Sequence, residues 1–222
     1  MPFIFTAMIV ASFIKTGSAW FGFKLLILGV LCAVSARNFA MAFNRYADRD
    51  IDKHNPRTAS RPSVDGRIGA NNLLIFIAIN AIVFVLVAYF INDLAFYLSV
   101  PILIILAIYS IFKRFSSLAH VVLGVSLGLA PIAGVVAVAN EITLYAVLLS
   151  LGVVFWVAGF DLLYSLQDLE FDVKNGLFVC LAFMAIRLRF LFQPYFTHLL
   201  CCFGCFFVGR QNLVDLHFLV WR

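Results

Sequence analysis

Long apolar runs separated by short polar punctuation set the character of this chain. Leu73–Ile91, Ala95–Phe112, Leu118–Ala139 and Ile142–Phe160 are built almost wholly of aliphatic, aromatic and small residues. Each approaches or exceeds the roughly 17–25 residues that a helix needs to cross a bilayer. The pattern predicts helices over 1–14, 19–48, 71–91, 95–112, 118–139 and 142–172, with the second and sixth continuing past the membrane into polar ends. Pro56 and Pro62 stop any helix inside Asn44–Ala70, the one substantial polar stretch. A connection of that length in a compact protein is either functional or disordered, and this one is dense in charge without being repetitive, which favours function. The expected fold class is all-α, a polytopic transmembrane helical bundle of about six spans.

Composition reinforces that reading. Hydrophobic residues make up 64% of the 222 positions and charged residues 12%, against roughly half and a quarter in an ordinary soluble domain. A soluble fold has too little interior for so much apolar surface. The formal charge of +5 raises nucleic acid as a partner, but Lys and Arg sit mostly in loops between apolar runs, with no basic stripe of interleaved aromatics. Nucleic acid is therefore excluded and the bilayer is the expected partner. Asn92-Asp93 and Asn140-Glu141 carry no cation, whereas Arg45–Arg67 and Lys113-Arg114 are rich in them. That alternation puts the basic loops in the cytoplasm and the protein in the inner (plasma) membrane as a multi-pass chain. Cys202 and Cys205 have CxxC spacing, but they lack a second pair and lie in an apolar context, so no zinc or redox site is expected. Met1–Ile14 lacks the basic leader and cleavage site of a signal peptide and reads as the latter part of a span.

Against this background the acids stand out. Arg37, Asn44, Asp48 and Asp52 recur at i, i+7, i+11 and i+15, within an arc of about 80° on one helix face. Asp161, Asp168 and Asp172 repeat the spacing at i, i+7 and i+11, with Tyr164 beside them. Paired carboxylates on two helices repel at neutral pH unless a cation holds them. Hard oxygen ligands with few protein contacts suit Mg²⁺, which completes its shell with water and substrate phosphates. A diphosphate bridging the two clusters fits, with the metal neutralising the charge that builds as the allylic carbon–oxygen bond breaks. The bland alternative is solvated loop acids paired with Arg45, Arg49, Arg57 and Arg61. Two matching clusters argue against it, as do Arg37 and Asp161, which follow apolar runs where an ionisable group is costly and usually functional. Tyr109 and Lys113 share a helix face at i and i+4. With Arg114 they form a third group, suited to a diphosphate or a carboxylate and equally readable as a positive-inside anchor.

These residues carry a resemblance. NRYADRDID over 44–52, NPRTASRP over 55–62 and DLLYSLQDLEFDVKNGL over 161–177 resemble the signatures of the UbiA superfamily of membrane prenyltransferases, in its 4-hydroxybenzoate polyprenyltransferase branch. The resemblance spans Pro2 to Leu177. It implies a helical bundle of about nine spans whose Asp-rich loops cap a central cavity. It further implies that Asn44, Asp48 and Asp52 form the first magnesium-diphosphate motif, and Asp168 and Asp172 the second. Tyr109 and Lys113 match diphosphate-contacting positions, and Arg114 and Asp161 match positions that handle the aromatic acid. The catalytic set is then Asp48, Asp161, Asp168 and Arg114, and the substrate-binding set Arg37, Arg57, Arg61, Tyr109, Lys113, Arg114 and Tyr164. The implied substrates are a prenyl diphosphate and an aromatic acid, joined by attack of a ring carbon ortho to the hydroxyl on a prenyl cation. A dihydroxynaphthoate fits the same motifs as acceptor, and prenyl length and oligomeric state are not legible.

Two departures qualify the resemblance. The stretch that precedes the first span in the family is missing, and from Phe178 the pattern changes abruptly. Arg187, Arg189, Gln193, His198, Arg210 and Asp215 interrupt the apolar runs, and Cys180, Cys201, Cys202 and Cys205 appear. The expected organisation is a core over 1–177 and an aberrant tail over 178–222 produced by a frameshift near Leu177, with the chain itself expected to be inactive or nearly so. Outside the enzyme class, paired acids in a bundle also suit an ion-coupled transporter, although they sit at helix ends and no Gly/Pro-broken helix pair is evident. A structural subunit with inert charged loops is the third reading.

Overall fold

The computed structural model describes residues 2–54, 58, 60–112 and 119–165, with the side chains of 119–120 and 162–165 excepted. Every regular element among them is helical: α1 (Pro2–Thr16), α2 (Phe23–Ala47), α3 (Arg49–Asp52), α4 (Ala70–Ile91), α5 (Asp93–Phe112), α6 (Ala119–Ala139) and α7 (Leu144–Ser165). Five of these are long and apolar enough to span a membrane, and α1 is a shorter apolar helix. The 22 residues of α4 rise about 33 Å, close to the thickness of a hydrocarbon core.

On α4 the two sides separate cleanly. Leu73, Ile77, Asn80, Phe84 and Val87 are buried against the bundle, while Ile75, Ile79, Ile82 and Leu86 stay exposed. Both sets are apolar apart from Asn80, because the outer face meets lipid and not water. Asn80 satisfies its amide by donating to the Phe76 carbonyl at 2.8 Å. Chains of this kind gain little from hydrophobic burial between helices, so association rests on close packing. Small residues supply it. A Cβ at Gly124 would stand 2.5 Å from the Val154 carbonyl oxygen, and one at Gly128 2.5 Å from Val154 Cγ2. Ser150 donates its hydroxyl to the Gly128 carbonyl. A Gly-xxx-Gly stripe on α6 therefore seats α7, and Gly134 lets α1 approach in the same way, its virtual Cβ lying 2.6 Å from the Ile4 carbonyl oxygen.

The helix ends sort into two groups. At one end, Asn92 accepts from the Ala95 N–H at 2.8 Å to cap α5 and donates to the Val136 carbonyl at 2.8 Å. Lys15 donates to the Val138 carbonyl at 3.2 Å. Asn140 closes α6 with a left-handed φ of 58°, its N–H returning to the Val136 carbonyl. Carbonyls orphaned at the end of α6 thus find donors on α1 and on the α4–α5 turn. The charged segment between α2 and α4 lies at the opposite end.

The helix boundaries depart from the sequence expectation in three places. The second helix starts at Phe23 and not at residue 19, because Gly22 takes φ 93°, open to glycine but strained for other residues. It also stops one residue early, at Ala47, with Asp48 (φ −89°, ψ 4°) between α2 and α3. Helix then resumes as α3, Arg49–Asp52, four residues beyond the expected end at 48. The sixth predicted helix is described only as far as Ser165, and the tail from 178 lies outside the described residues.

The α6–α7 seam yields a direct test. Gly124→Ala should lower the thermal unfolding midpoint of the detergent-solubilised chain, at a cost of about 1–3 kcal/mol from overpacking. Gly159→Ala, whose Cβ meets nothing within 4 Å, should leave the midpoint unchanged or raise it. Equal behaviour of the two variants would contradict the small-residue seam.

Candidate functional site

Where α2 ends, the chain turns two carboxylates inward. Asp48 retains 5% and Asp52 8% of its accessible surface, so neither is a solvated loop acid, whereas Asp50 between them is exposed. The near-helical run makes this possible: the Asp48 N–H donates to the Asn44 carbonyl at 2.9 Å and the Asp52 N–H to the Asp48 carbonyl at 2.8 Å. The i, i+4, i+8 face thus survives the change of helix. Beyond it the segment folds back. Thr58, almost fully buried, donates its hydroxyl to the Asp52 carbonyl at 2.9 Å, and Arg61 Nη1 reaches Asp52 Oδ2 at 2.7 Å. Further out, Arg67 binds Asp65 through its backbone N–H and its Nε and donates from Nη2 to the Ser60 carbonyl. The Arg67 backbone hydrogen bond, with its side chain adding to it, holds the exposed Asp65 carboxyl below the usual carboxylate range.

A cavity of about 540 Å³ opens beneath these acids. Its polar end carries Arg37, Asn44, Arg45, Arg61 and Tyr109, and its deeper part is apolar, with Ile4, Cys32, Ala33, Leu129, Ala130 and Ala133. Tyr109 stands in the electrostatic field of both Asp161 and Asp48, so the acid of α7, the acid after α2 and the phenol of α5 converge on one region. Such a cavity matches an amphiphile, with cations and polar groups for an anionic head and small aliphatic side chains for a tail.

Of the residues singled out by sequence, Arg37, Asn44, Arg61 and Tyr109 line this cavity; Asp48 and Asp52 are buried without lining it, Asp52 being paired with the lining Arg61, and Asp48 and Asp161 both lie within electrostatic range of Tyr109. Arg57, Lys113, Arg114, Asp168 and Asp172 lie outside the described residues, as does the side chain of Tyr164. Among the described residues no three His, Cys, Asp or Glu side chains converge as a metal cage. Asn44, Asp48 and Asp52 nonetheless offer hard oxygen donors of the kind magnesium takes, a few protein ligands supplemented by water and phosphate. Their burial fits as well, because carboxylates withdrawn from water need a compensating cation. Two things escaped the sequence reading. Arg45, which entered the sequence reading only as a partner for loop acids in the bland alternative, lines the cavity, and nothing in its spacing distinguishes it from Arg49. The apolar floor draws on α1, α2 and α6 together, which only the fold assembles.

Comparison with known proteins bears on this arrangement. The chain is 36% identical over 154 residues to the 4-hydroxybenzoate octaprenyltransferase of Janthinobacterium sp. (strain Marseille), an alignment covering 69% of this chain and 54% of the relative. It is 34% identical over 154 residues to the enzyme of that name from Tolumonas auensis, with the same coverage. The chain thus spans about half the length of the curated relatives it matches. Among solved structures, the apo UbiA homolog from Aeropyrum pernix K1 superposes with a TM-score of 0.70 at 34% identity, covering 79% of this chain and 65% of that one. A UbiA homolog from Archaeoglobus fulgidus, bound to DMAPP and Mg²⁺, shares the fold at a TM-score of 0.62 and 20% identity, covering 89% of this chain and 71% of that one. The sequence pattern of the UbiA prenyltransferase family runs through residues 3–221; with the multi-pass bundle and the acids over its cavity, this makes the chain a member of the UbiA prenyltransferase family.

Proposed function

We propose that the core represented by this chain transfers a polyprenyl group from a prenyl diphosphate to an aromatic acid such as 4-hydroxybenzoate, in quinone biosynthesis at the inner membrane. One observation carries the reading: a cavity with cations and polar groups at one end and small aliphatic side chains along the rest adjoins two buried carboxylates, Asp52 through its ion pair with the lining Arg61 and Asp48 through the field it exerts on the lining Tyr109. A prenyl diphosphate has that shape, a highly charged head on a hydrocarbon tail. The names of the curated relatives support the aromatic acceptor, and the DMAPP and Mg²⁺ bound to a structural neighbour support the donor.

The residues divide the work as follows. Arg61 holds Asp52 in place, and Thr58 fixes the backbone behind it, so the acid cluster is ordered before substrate arrives. Asn44, Asp48 and Asp52, together with Asp168 and Asp172, would hold magnesium, which would supply the positive charge that a departing diphosphate requires. Tyr109 and Lys113 contact the diphosphate, with Arg57, Arg61 and Tyr164 nearby, while Asp161, Arg114 and Arg37 orient the aromatic acid. The apolar cavity wall excludes water from the allylic carbon, which would otherwise be hydrolysed in place of alkylating the ring. As the carbon–oxygen bond breaks, its electron pair leaves with the diphosphate; the ring carbon supplies the pair for the new carbon–carbon bond and then loses its proton. The basic segment after α2 faces the cytoplasm, where both polar substrates are made available to the bundle.

Two tests follow. Asp48→Ala and Asp168→Ala, each built into a parent of full family length carrying this core, should lower transfer of radiolabelled prenyl groups by several powers of ten while membrane insertion stays intact. Near-normal turnover at saturating magnesium in either variant would refute the assignment. Lys113→Ala and Arg114→Ala should separate the substrates, the first raising the Michaelis constant for prenyl diphosphate and the second that for the aromatic acid. Equal changes in both constants would reduce the pair to a topological anchor.

A further inference from the structure

Arg45 stands in the last turn of α2. Its sequence context offers two ordinary occupations: pairing with the acids that follow it, or reaching out to lipid headgroups as a positive-inside anchor. It adopts neither. The ion pairs among the described residues are Arg61 with Asp52 and Arg67 with Asp65. Arg45 remains partly buried and lines the cavity beside Asn44. A cation in the last turn also gains from the helix macrodipole, which explains why Arg is tolerated there but not why it turns to the cavity.

The register of α2 assigns it a level. Arg37 and Arg45 both line the cavity and are separated by eight residues, about 12 Å along a helix. Arg37 stands at the inner limit of the polar end, whereas Arg45 shares the turn of Asn44 and sits one turn before Asp48, at the charged mouth. Among the described residues the other lining cation near that level, Arg61, is paired with Asp52 at 2.7 Å, whereas Arg45 lines the cavity without such a pair, so its guanidinium is available to an incoming anion. A planar fork of donors matches two phosphate oxygens at once.

Resting on the function proposed above, we propose that Arg45 is a diphosphate-binding residue, gripping the phosphate oxygens of the prenyl diphosphate from the α2 side of the cavity mouth. The test uses the full detergent-solubilised chain, with magnesium, and equilibrium binding of two tritiated probes, geranyl diphosphate and geraniol. Arg45→Gln should weaken geranyl diphosphate binding about tenfold or more, the scale of one charge-assisted contact, and leave geraniol binding unchanged. Arg45→Lys should restore the larger part of the loss because it keeps the charge. Unchanged geranyl diphosphate binding in Arg45→Gln, with the parent binding well, would overturn the role of Arg45 and leave the proposed function standing. Parallel loss of both probes in the Gln and Lys variants would assign Arg45 to structure and likewise overturn the proposal. A parent that does not bind geranyl diphosphate at all would sink the proposed function and this inference together.

Discussion

The burial of Asp48 and Asp52 at the end of a membrane bundle is the constraint from which the rest of the polar architecture follows. Carboxylates withdrawn from water lose several kcal/mol of solvation each unless cations and donors replace it. Arg61, half in solvent, answers for Asp52 across 2.7 Å, and to reach it the chain must double back after α3. That return is fastened by the Thr58 hydroxyl on the Asp52 carbonyl and, further out, by Arg67 on Asp65 and Ser60. The loop is thus shaped around the acids and not merely attached to them. A pair so exposed on its arginine side contributes little net stability; its consequence is order in the acid cluster.

The two ends of the bundle are held by different forces. Away from the acids, uncharged amides and one lysine close orphan carbonyls, through Asn92 and Lys15 on the last turn of α6. Along the length of α6, glycines at 124, 128 and 134 bring α7 and α1 close enough for dispersion to act. The end away from the acids is fastened by these hydrogen bonds between helices. At the acid end, Arg37, Arg45, Arg61 and the Tyr109 of α5 line an open volume, with Asp48 and the Asp161 of α7 within electrostatic range of that phenol.

Much of this was legible because membrane chains obey few rules. Spans of α4, α5 and α6 follow from uninterrupted apolar runs, and their described boundaries fall within about two residues of the expectation. The Asn44, Asp48, Asp52 face also followed from helical period alone, even though Asp48 leaves α2, since the backbone hydrogen bonds continue across it. The start of α2 was misplaced because Trp20 and Phe21 read as span residues, while Gly22, with its positive φ, sets the boundary. Cavity-facing Arg45 could not be told from Arg49 or Lys53, since a charged residue near a helix end has no period to give away its direction. Nor could the floor around Ile4 and Ala133 be foreseen, because contacts between α1 and α6 join residues more than a hundred positions apart in sequence. Packing of that kind is set by shape, and small residues at Gly128 and Gly134 announce only that some helix comes close.

The central claim is that the buried acids form a cation-dependent diphosphate site, and ligand-linked stability tests it without relying on turnover. Thermal unfolding of the solubilised chain should shift upward with Mg²⁺ and further with Mg²⁺ plus geranyl diphosphate. A ligand at a hundred times its dissociation constant stabilises by about 2.7 kcal/mol. The same shift should vanish in Asp48→Asn, which preserves shape and removes charge. An unfolding midpoint indifferent to magnesium and diphosphate, or an equal rise in Asp48→Asn, would contradict the account.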